Sequence, residues 1–306
     1  MLYIILLSIL GVILFLIIIL LNIIFIKLSK RMPLKEFSDI DLSHSQYKEY
    51  ENTIKEAFKF FKDIKYTELN IKSYDNLNLY ANYYDNNSDK TIILVHGYRA
   101  TPLNNFCMVA KNYYLKGYNI LMIIQRSHGK SEGKYITLGD KEKRDLLLWI
   151  EKINELYNPK SIFIHGLSMG AATILLASKY IKSNNVKGLI IDCGFDYSIN
   201  AIYYGLIKFL KLKSKLITYL VGFIGLFYGV NLFKNKCYKN VKDNKIPILY
   251  IHGNNDSLVP IKLGYKNFNN TNSKKEFIET NAYHAMSIYF DYENIINKID
   301  EFINNN

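Results

Sequence analysis

The chain has 306 residues, 49% of them hydrophobic, enough for one substantial core with appendages. Its three cysteines, Cys107, Cys193 and Cys237, are too few and too scattered for a disulfide framework or a zinc site. The formal charge of +12 invites a nucleic-acid partner, but lysine, asparagine, isoleucine and tyrosine are abundant throughout and no nucleic-acid module is recognisable, so that class is set aside.

Residues 1–26 carry no charged side chain, and besides Tyr3 the only polar ones are Ser8 and Asn22. As a helix this stretch would be roughly 39 Å long, enough to cross a hydrocarbon core of about 30 Å with some tilt. A cleavable signal peptide would want a basic start, a shorter apolar core and a small-residue cleavage site, and all three are missing. A retained transmembrane anchor over residues 1–26 is therefore expected. Lys27, Lys30, Arg31 and Lys35 crowd its C-terminal side, so the positive-inside rule places the rest of the chain in the cytoplasm.

Residues 27–66 read as a juxtamembrane linker and an amphipathic helix, with Tyr47, Tyr50, Ile54, Phe58 and Phe61 at three- and four-residue spacing. Two alternating runs, LNIKSY and LNLYANYY, flank Asp75-Asn76 as in a hairpin. The rhythm then changes. Apolar runs TIILV, NILMII, SIFI, VKGLIID, IPILYI and KEFIET alternate with helical stretches, one of them marked by Leu146, Leu147, Trp149, Ile150 and Ile153. Runs without polar alternation suit strands covered on both faces, which predicts a mostly parallel central sheet flanked by helices in a domain over residues 67–306. Residues 196–245 break the rhythm as a long insertion. Between Lys208 and Lys245 this insertion holds nine lysines against one acid, Asp243, around the uncharged stretch LITYLVGFIGLFYGVNLF.

The chemistry centres on Gly166-Leu-Ser168-Met-Gly170, between a strand and a small-residue helix. A serine there occupies a sharp turn with its hydroxyl at the carboxyl edge of the sheet, and larger residues at the two glycines would crowd the turn. The helix beginning at that turn aims its positive dipole end at the same point. Such a nucleophile needs a base, and the base an orienting acid. Asp256 in LYIHGNNDSLVP and His284 in IETNAYHAMS each follow a strand, giving the chain order Ser168, Asp256, His284. Each alone reads equally as a turn or loop residue; together, at three strand ends, they predict a catalytic set. The loop in ILVHGYRAT follows the third strand, so the backbone N–H groups of Tyr98 and Met169 are the expected oxyanion donors. His96, His165 and His252 are read as structural.

From about Leu69 to Ile303 the sequence resembles an α/β-hydrolase of the serine-hydrolase group, and is most similar to bacterial membrane-anchored lysophospholipase- and serine-aminopeptidase-like members. The residues that carry the resemblance are HGY, QRSHGKSEG, GLSMGA, IIDCGF, HGNNDSLVP and AYHAMS. It implies the α/β-hydrolase fold and the same three catalytic residues. Two positions depart from the pattern. Relatives often carry D-x-R-G-H-G-x-S where this chain has residues Ile124 to Ser131, and H-G-x-x-G where Ala100 replaces the second glycine. Some hydrolases of this fold draw the acid from the end of the sixth strand, which makes Asp192 a rival to Asp256; the GNNDSLVP context favours Asp256. His128 precedes the serine and is read as structural.

In this fold an insertion after the sixth strand makes a cap, so residues 196–245 are expected over the active site. A second membrane crossing there would separate Ser168 from Asp256 and His284, and is excluded on that ground. The cap is expected to line an acyl-sized pocket or to lie in the membrane interface, its lysines facing anionic headgroups. The sequence therefore predicts a membrane-anchored serine hydrolase that cleaves carboxylic esters, of lipid or acyl character, through an acyl-enzyme, with no metal and no cofactor. Peptidase, amidase or acyltransferase activity on the same residues, and a catalytically silent membrane-tethered binding module, are the alternatives.

Overall fold

The computed structural model describes residues 1–39 and 41–306; Ile40, inside the expected linker, lies outside the described residues. Eight strands form one sheet: β1 (Thr67–Lys72), β2 (Asn78–Tyr84), β3 (Lys90–Val95), β4 (Asn119–Ile124), β5 (Ser161–Leu167), β6 (Val186–Asp192), β7 (Ile248–Gly253) and β8 (Lys275–Thr280). Their order is β1-β2-β4-β3-β5-β6-β7-β8. β1 and β2 pair as an antiparallel hairpin turned at Asn76, whose φ of +68° suits asparagine, and β2 runs antiparallel to β4. The other six strands are mutually parallel.

The apolar runs form interior strands because both faces are covered. Ile92, Ile93, Leu94 and Val95 of β3 are all buried. One face packs under α2 (Glu51–Asp63) and α3 (Pro102–Leu115), where Phe58, Phe61, Phe106 and Tyr113 are buried. The other packs under α4 (Glu142–Tyr157) and α5 (Met169–Ala177) through Trp149, Ile153, Leu175 and Leu176. Tyr47 and Tyr50 stand just before α2 rather than on it. Both pack against the ring of Tyr289, at 5.4 and 5.2 Å between centroids.

The insertion folds as α6 (Ser198–Leu210) and α7 (Lys215–Phe227), followed by the short α8 (Cys237–Asn240). The uncharged stretch is not one helix. Its thirteen-residue α7 is roughly 20 Å long, and the chain reverses at Gly229, whose φ is +70°. Beyond β7 come α9 (Ile261–Asn270), α10 (Ser287–Phe290) and the closing α11 (Tyr292–Asn304).

The N-terminal helix α1 runs from Leu2 to Ser29, three residues past the expected boundary. Every residue from Leu2 to Leu20 is exposed, and these nineteen residues form a bare apolar rod about 28 Å long. Leu21, Ile24 and Phe25 are instead buried against Ile199, Ile202, Leu206, Val221 and Ile224 of α6 and α7. Phe25 stacks on Tyr228 at 4.8 Å and fits over Gly225, where a Cβ would come within 3.0 Å of its ring.

Candidate active site

Parallel strands deliver their following loops to one edge of the sheet, and Tyr98, Ser168, Asp256 and His284 follow β3, β5, β7 and β8 there. Ser168 has φ +55° and ψ −112°, a left-handed conformation costly for a residue with a Cβ. The surroundings enforce it. Its N–H donates to Asp192 O at 2.8 Å, and its carbonyl accepts the Ala172 N–H at 3.0 Å, starting α5. A Cβ on Gly166 would lie 2.7 Å from the Ala171 nitrogen, and one on Gly170 would overlap the Val95 carbonyl. Substitution at either glycine would push α5 off the sheet.

His284 Nε2 stands 2.9 Å from Ser168 Oγ, and its Nδ1 2.6 Å from Asp256 Oδ2. With the Nδ1 proton donated to the carboxylate, the Nε2 lone pair faces the serine hydroxyl. Asp256 is buried, and its Oδ1 accepts the N–H groups of Leu258 at 2.9 Å and Val259 at 2.7 Å. Burial alone would raise its carboxyl; the imidazoles of His252 and His284 and the Val259 N–H outweigh burial and hold it well below the usual carboxylate range. His252 donates to Val259 O at 2.7 Å, bracing the same loop.

The oxyanion loop is pinned on both sides of Tyr98. Gly97 N–H donates to Asn105 Oδ1 at 2.6 Å, and Arg99 N–H to His128 Nε2 at 3.0 Å. Among the described residues, neither the Tyr98 nor the Met169 N–H has a partner, and both flank Ser168. That is a pair of donors free to meet a developing oxyanion. His96 accepts the Gln125 N–H at 3.0 Å and joins Gly97 O at 2.8 Å, so it organises the loop base; burial holds it well below the ordinary histidine range.

Neither rival residue joins the hydrogen bonds between Ser168, His284 and Asp256. Both ring nitrogens of His128 are used by main chain, Nδ1 by Arg126 O at 2.9 Å. Asp192 lends its carbonyl to Ser168, while its buried carboxyl, pushed up to about 6 by burial, makes no hydrogen bond to His284. The two departures from the family pattern also resolve. Arg126 is buried and bridges Asp145 at 2.6 and 2.7 Å and Asp75 at 2.9 and 3.0 Å, so acids from α4 and the β1–β2 turn neutralise it. The left-handed residue of the oxyanion loop is Arg99 (φ +52°), and Ala100 is not in that region, so alanine serves where relatives carry glycine.

Three contributors escape sequence reasoning. Asn105 sits one turn into α3 with no motif to mark it. Gln46 donates to His284 O at 3.2 Å from the N-terminal region. Cys193, buried at φ +45°, brings its sulfur within 4.8 Å of Asp256 and His284, and burial keeps the thiol protonated.

Ser168 and His284 open into a cleft of about 440 Å³, walled by Ile24, Leu28, Tyr98, Phe209 and Leu258. A narrower apolar arm, about 80 Å³, runs from Ser168 past Met169 and Ile202 to Gly205.

Comparison with known proteins agrees with this fold. The model of the family described as serine aminopeptidase, S33 matches residues 86–222. The uncharacterized protein YqkD of Bacillus subtilis is 28% identical over 218 residues, 70% of this chain and 71% of that protein. The esterase Pf2001 of Pyrococcus furiosus superposes with a TM-score of 0.66 and 27% identity, covering 79% of this chain and 91% of its own. Acylaminoacyl peptidase of Pyrococcus horikoshii shares the fold, with a TM-score of 0.57 and 21% identity over 81% of this chain and 42% of that one. The chain is a serine hydrolase of the α/β-hydrolase fold.

Proposed function

We propose that this serine hydrolase is a membrane-anchored carboxylic ester hydrolase that acts on lipid or acyl esters with Ser168 as nucleophile. The observation that carries the reading is the hydrogen-bonded chain Ser168–His284–Asp256 at the floor of a largely apolar cleft. His284 takes the serine proton as Ser168 Oγ attacks the ester carbonyl. Asp256 keeps the imidazole in the required tautomer and stabilises the imidazolium. The Tyr98 and Met169 N–H groups receive the oxyanion, a donor pair of which each member is worth about 10²–10³ in rate. The alcohol departs with the proton from His284, and water, activated by the same imidazole, hydrolyses the acyl-enzyme.

The bare rod of α1 supports the anchoring half of the reading, because about 28 Å of uncovered apolar helix matches a hydrocarbon core of about 30 Å. Basic residues after it support a cytoplasmic hydrolase domain, and the insertion at the cleft supports its role as a cap. Likeness to the Pyrococcus furiosus esterase supports the ester reading over the amide one.

A second reading, aminopeptidase, is favoured by the description of the matching family. The two separate on one panel: p-nitrophenyl acyl esters beside aminoacyl-p-nitroanilides, with full-length protein in membranes. Ester turnover at least a hundredfold above anilide turnover is expected, and the reverse order would establish the peptidase.

A further inference from the structure

A helix leaves its last carbonyls without intrahelical partners. In α1 the hydrolase domain uses three of them in succession. Lys27 O accepts Arg99 Nη2 at 2.6 Å, Leu28 O accepts Tyr98 Oη at 2.5 Å, and Ser29 O accepts the Ile136 N–H at 2.6 Å. Arg31 then donates to Ser131 O at 2.8 Å and to Gly129 O. Two of these partners, Tyr98 and Arg99, are the oxyanion loop itself. On its other face the same helix end buries Leu21, Ile24 and Phe25 in the insertion. The anchor is thus joined rigidly to the catalytic loop, not tethered to it.

Two side chains of the same helix end also face the reaction. Ile24 and Leu28 line the cleft that holds Ser168 and His284, and Leu28 also lines the apolar arm beyond Ser168. We propose that the last two turns of α1 form one wall of the acyl-binding channel, so that the acyl chain of a bilayer-resident ester runs along the anchor helix to reach Ser168. Ile24 lies roughly 6 Å beyond Leu20, where the unbroken bare run ends, which puts the channel mouth in the headgroup layer, about 5–8 Å thick. The exposed Phe223 and Phe227 of α7 belong to the same level. Tyr228, next to Phe227, bonds its hydroxyl to Asn22 at 3.0 Å. Exposed apolar surface of α7 therefore flanks the end of the bare rod.

The inference deepens the ester-hydrolase reading, and the test separates the two. Full-length wild type, Leu28→Trp and Leu28→Ala in phosphatidylcholine–phosphatidylglycerol vesicles are assayed on p-nitrophenyl esters from acetyl to myristoyl. Each preparation is normalised to active sites by fluorophosphonate labelling. Leu28→Trp should lower the ratio of kcat/KM for dodecanoyl over butyryl ester about tenfold or more. Leu28→Ala should move the optimum at least two carbons longer. Labelled variants that keep the wild-type ratio and optimum overturn the channel alone. A wild type that never labels removes the nucleophile, and the channel with it. Wild type should also turn over the dodecanoyl ester faster from vesicles than as monomer in water, and the opposite order overturns entry from the bilayer.

Discussion

Asn105 on α3 accepts the Gly97 N–H at 2.6 Å, and this amide sets the path of the loop that carries Tyr98. With the neighbouring Arg99 N–H committed to His128, the Tyr98 N–H stays free beside Ser168 among the described residues. Asn105→Ala should therefore act on the chemical step. A donor misplaced by about an ångström costs about 10²-fold, so kcat should fall by roughly that factor while KM stays within a few-fold. Asn105→Asp keeps an acceptor and should recover most of the rate. A rise in KM at unchanged kcat would show that Asn105 serves binding instead.

Arg126 is nearly solvent-free and meets two carboxylates, one of them buried. Burial would lower its pKa, but hydrogen bonds to Asp145 and Asp75 more than offset that and keep it charged. Removing one partner of a buried pair costs about 3–5 kcal/mol, because the other charge is stranded. Arg126→Met should show a loss of that order in chemical unfolding of detergent-solubilised protein. Arg126→Met with Asp145→Leu should lose less than Arg126→Met alone. Additive losses would mean that the two groups are not coupled.

His165 makes one hydrogen bond, to Tyr113 Oη at 3.0 Å, and burial pushes its pKa down to about 3. In the unfolded chain it titrates near 6.5. Between these values the unfolded state binds the extra proton, so the contribution is complete above about pH 6.5 and lost as pH falls, by about 1.4 kcal/mol per unit. The change in unfolding free energy from pH 7 to pH 5 should be about 2 kcal/mol larger in wild type than in the His165→Leu/Tyr113→Phe variant. Equal slopes would contradict a neutral buried His165.

Much of this was legible in the sequence, for identifiable reasons. Strands covered on both faces leave unbroken apolar runs, which mark β3 to β8, while the alternating runs mark the hairpin, with β1 starting two residues before its run. The strained turn at Ser168 demands glycines on both sides, so it writes itself into five adjacent residues. Asp256 and His284 are legible only through chain order and position after strands. What escaped is long-range. Asp75 and Asp145 meet Arg126 from distant elements, and no local period marks them. The uniform apolarity of residues 1–26 conceals that Leu21, Ile24 and Phe25 differ from the bare residues before them. Gly225, with nothing to single it out within the uncharged stretch, is the notch that receives Phe25.

The most direct measurement is labelling by a fluorophosphonate probe in membranes containing full-length wild type, Ser168→Ala and His284→Ala. The probe reacts only with a serine whose proton is taken by a base. With Nε2 of His284 2.9 Å from Ser168 Oγ, wild type should label and both variants should not. Labelling that persists in Ser168→Ala, or no labelling of folded wild type in lipid or detergent, would contradict Ser168 as the activated nucleophile.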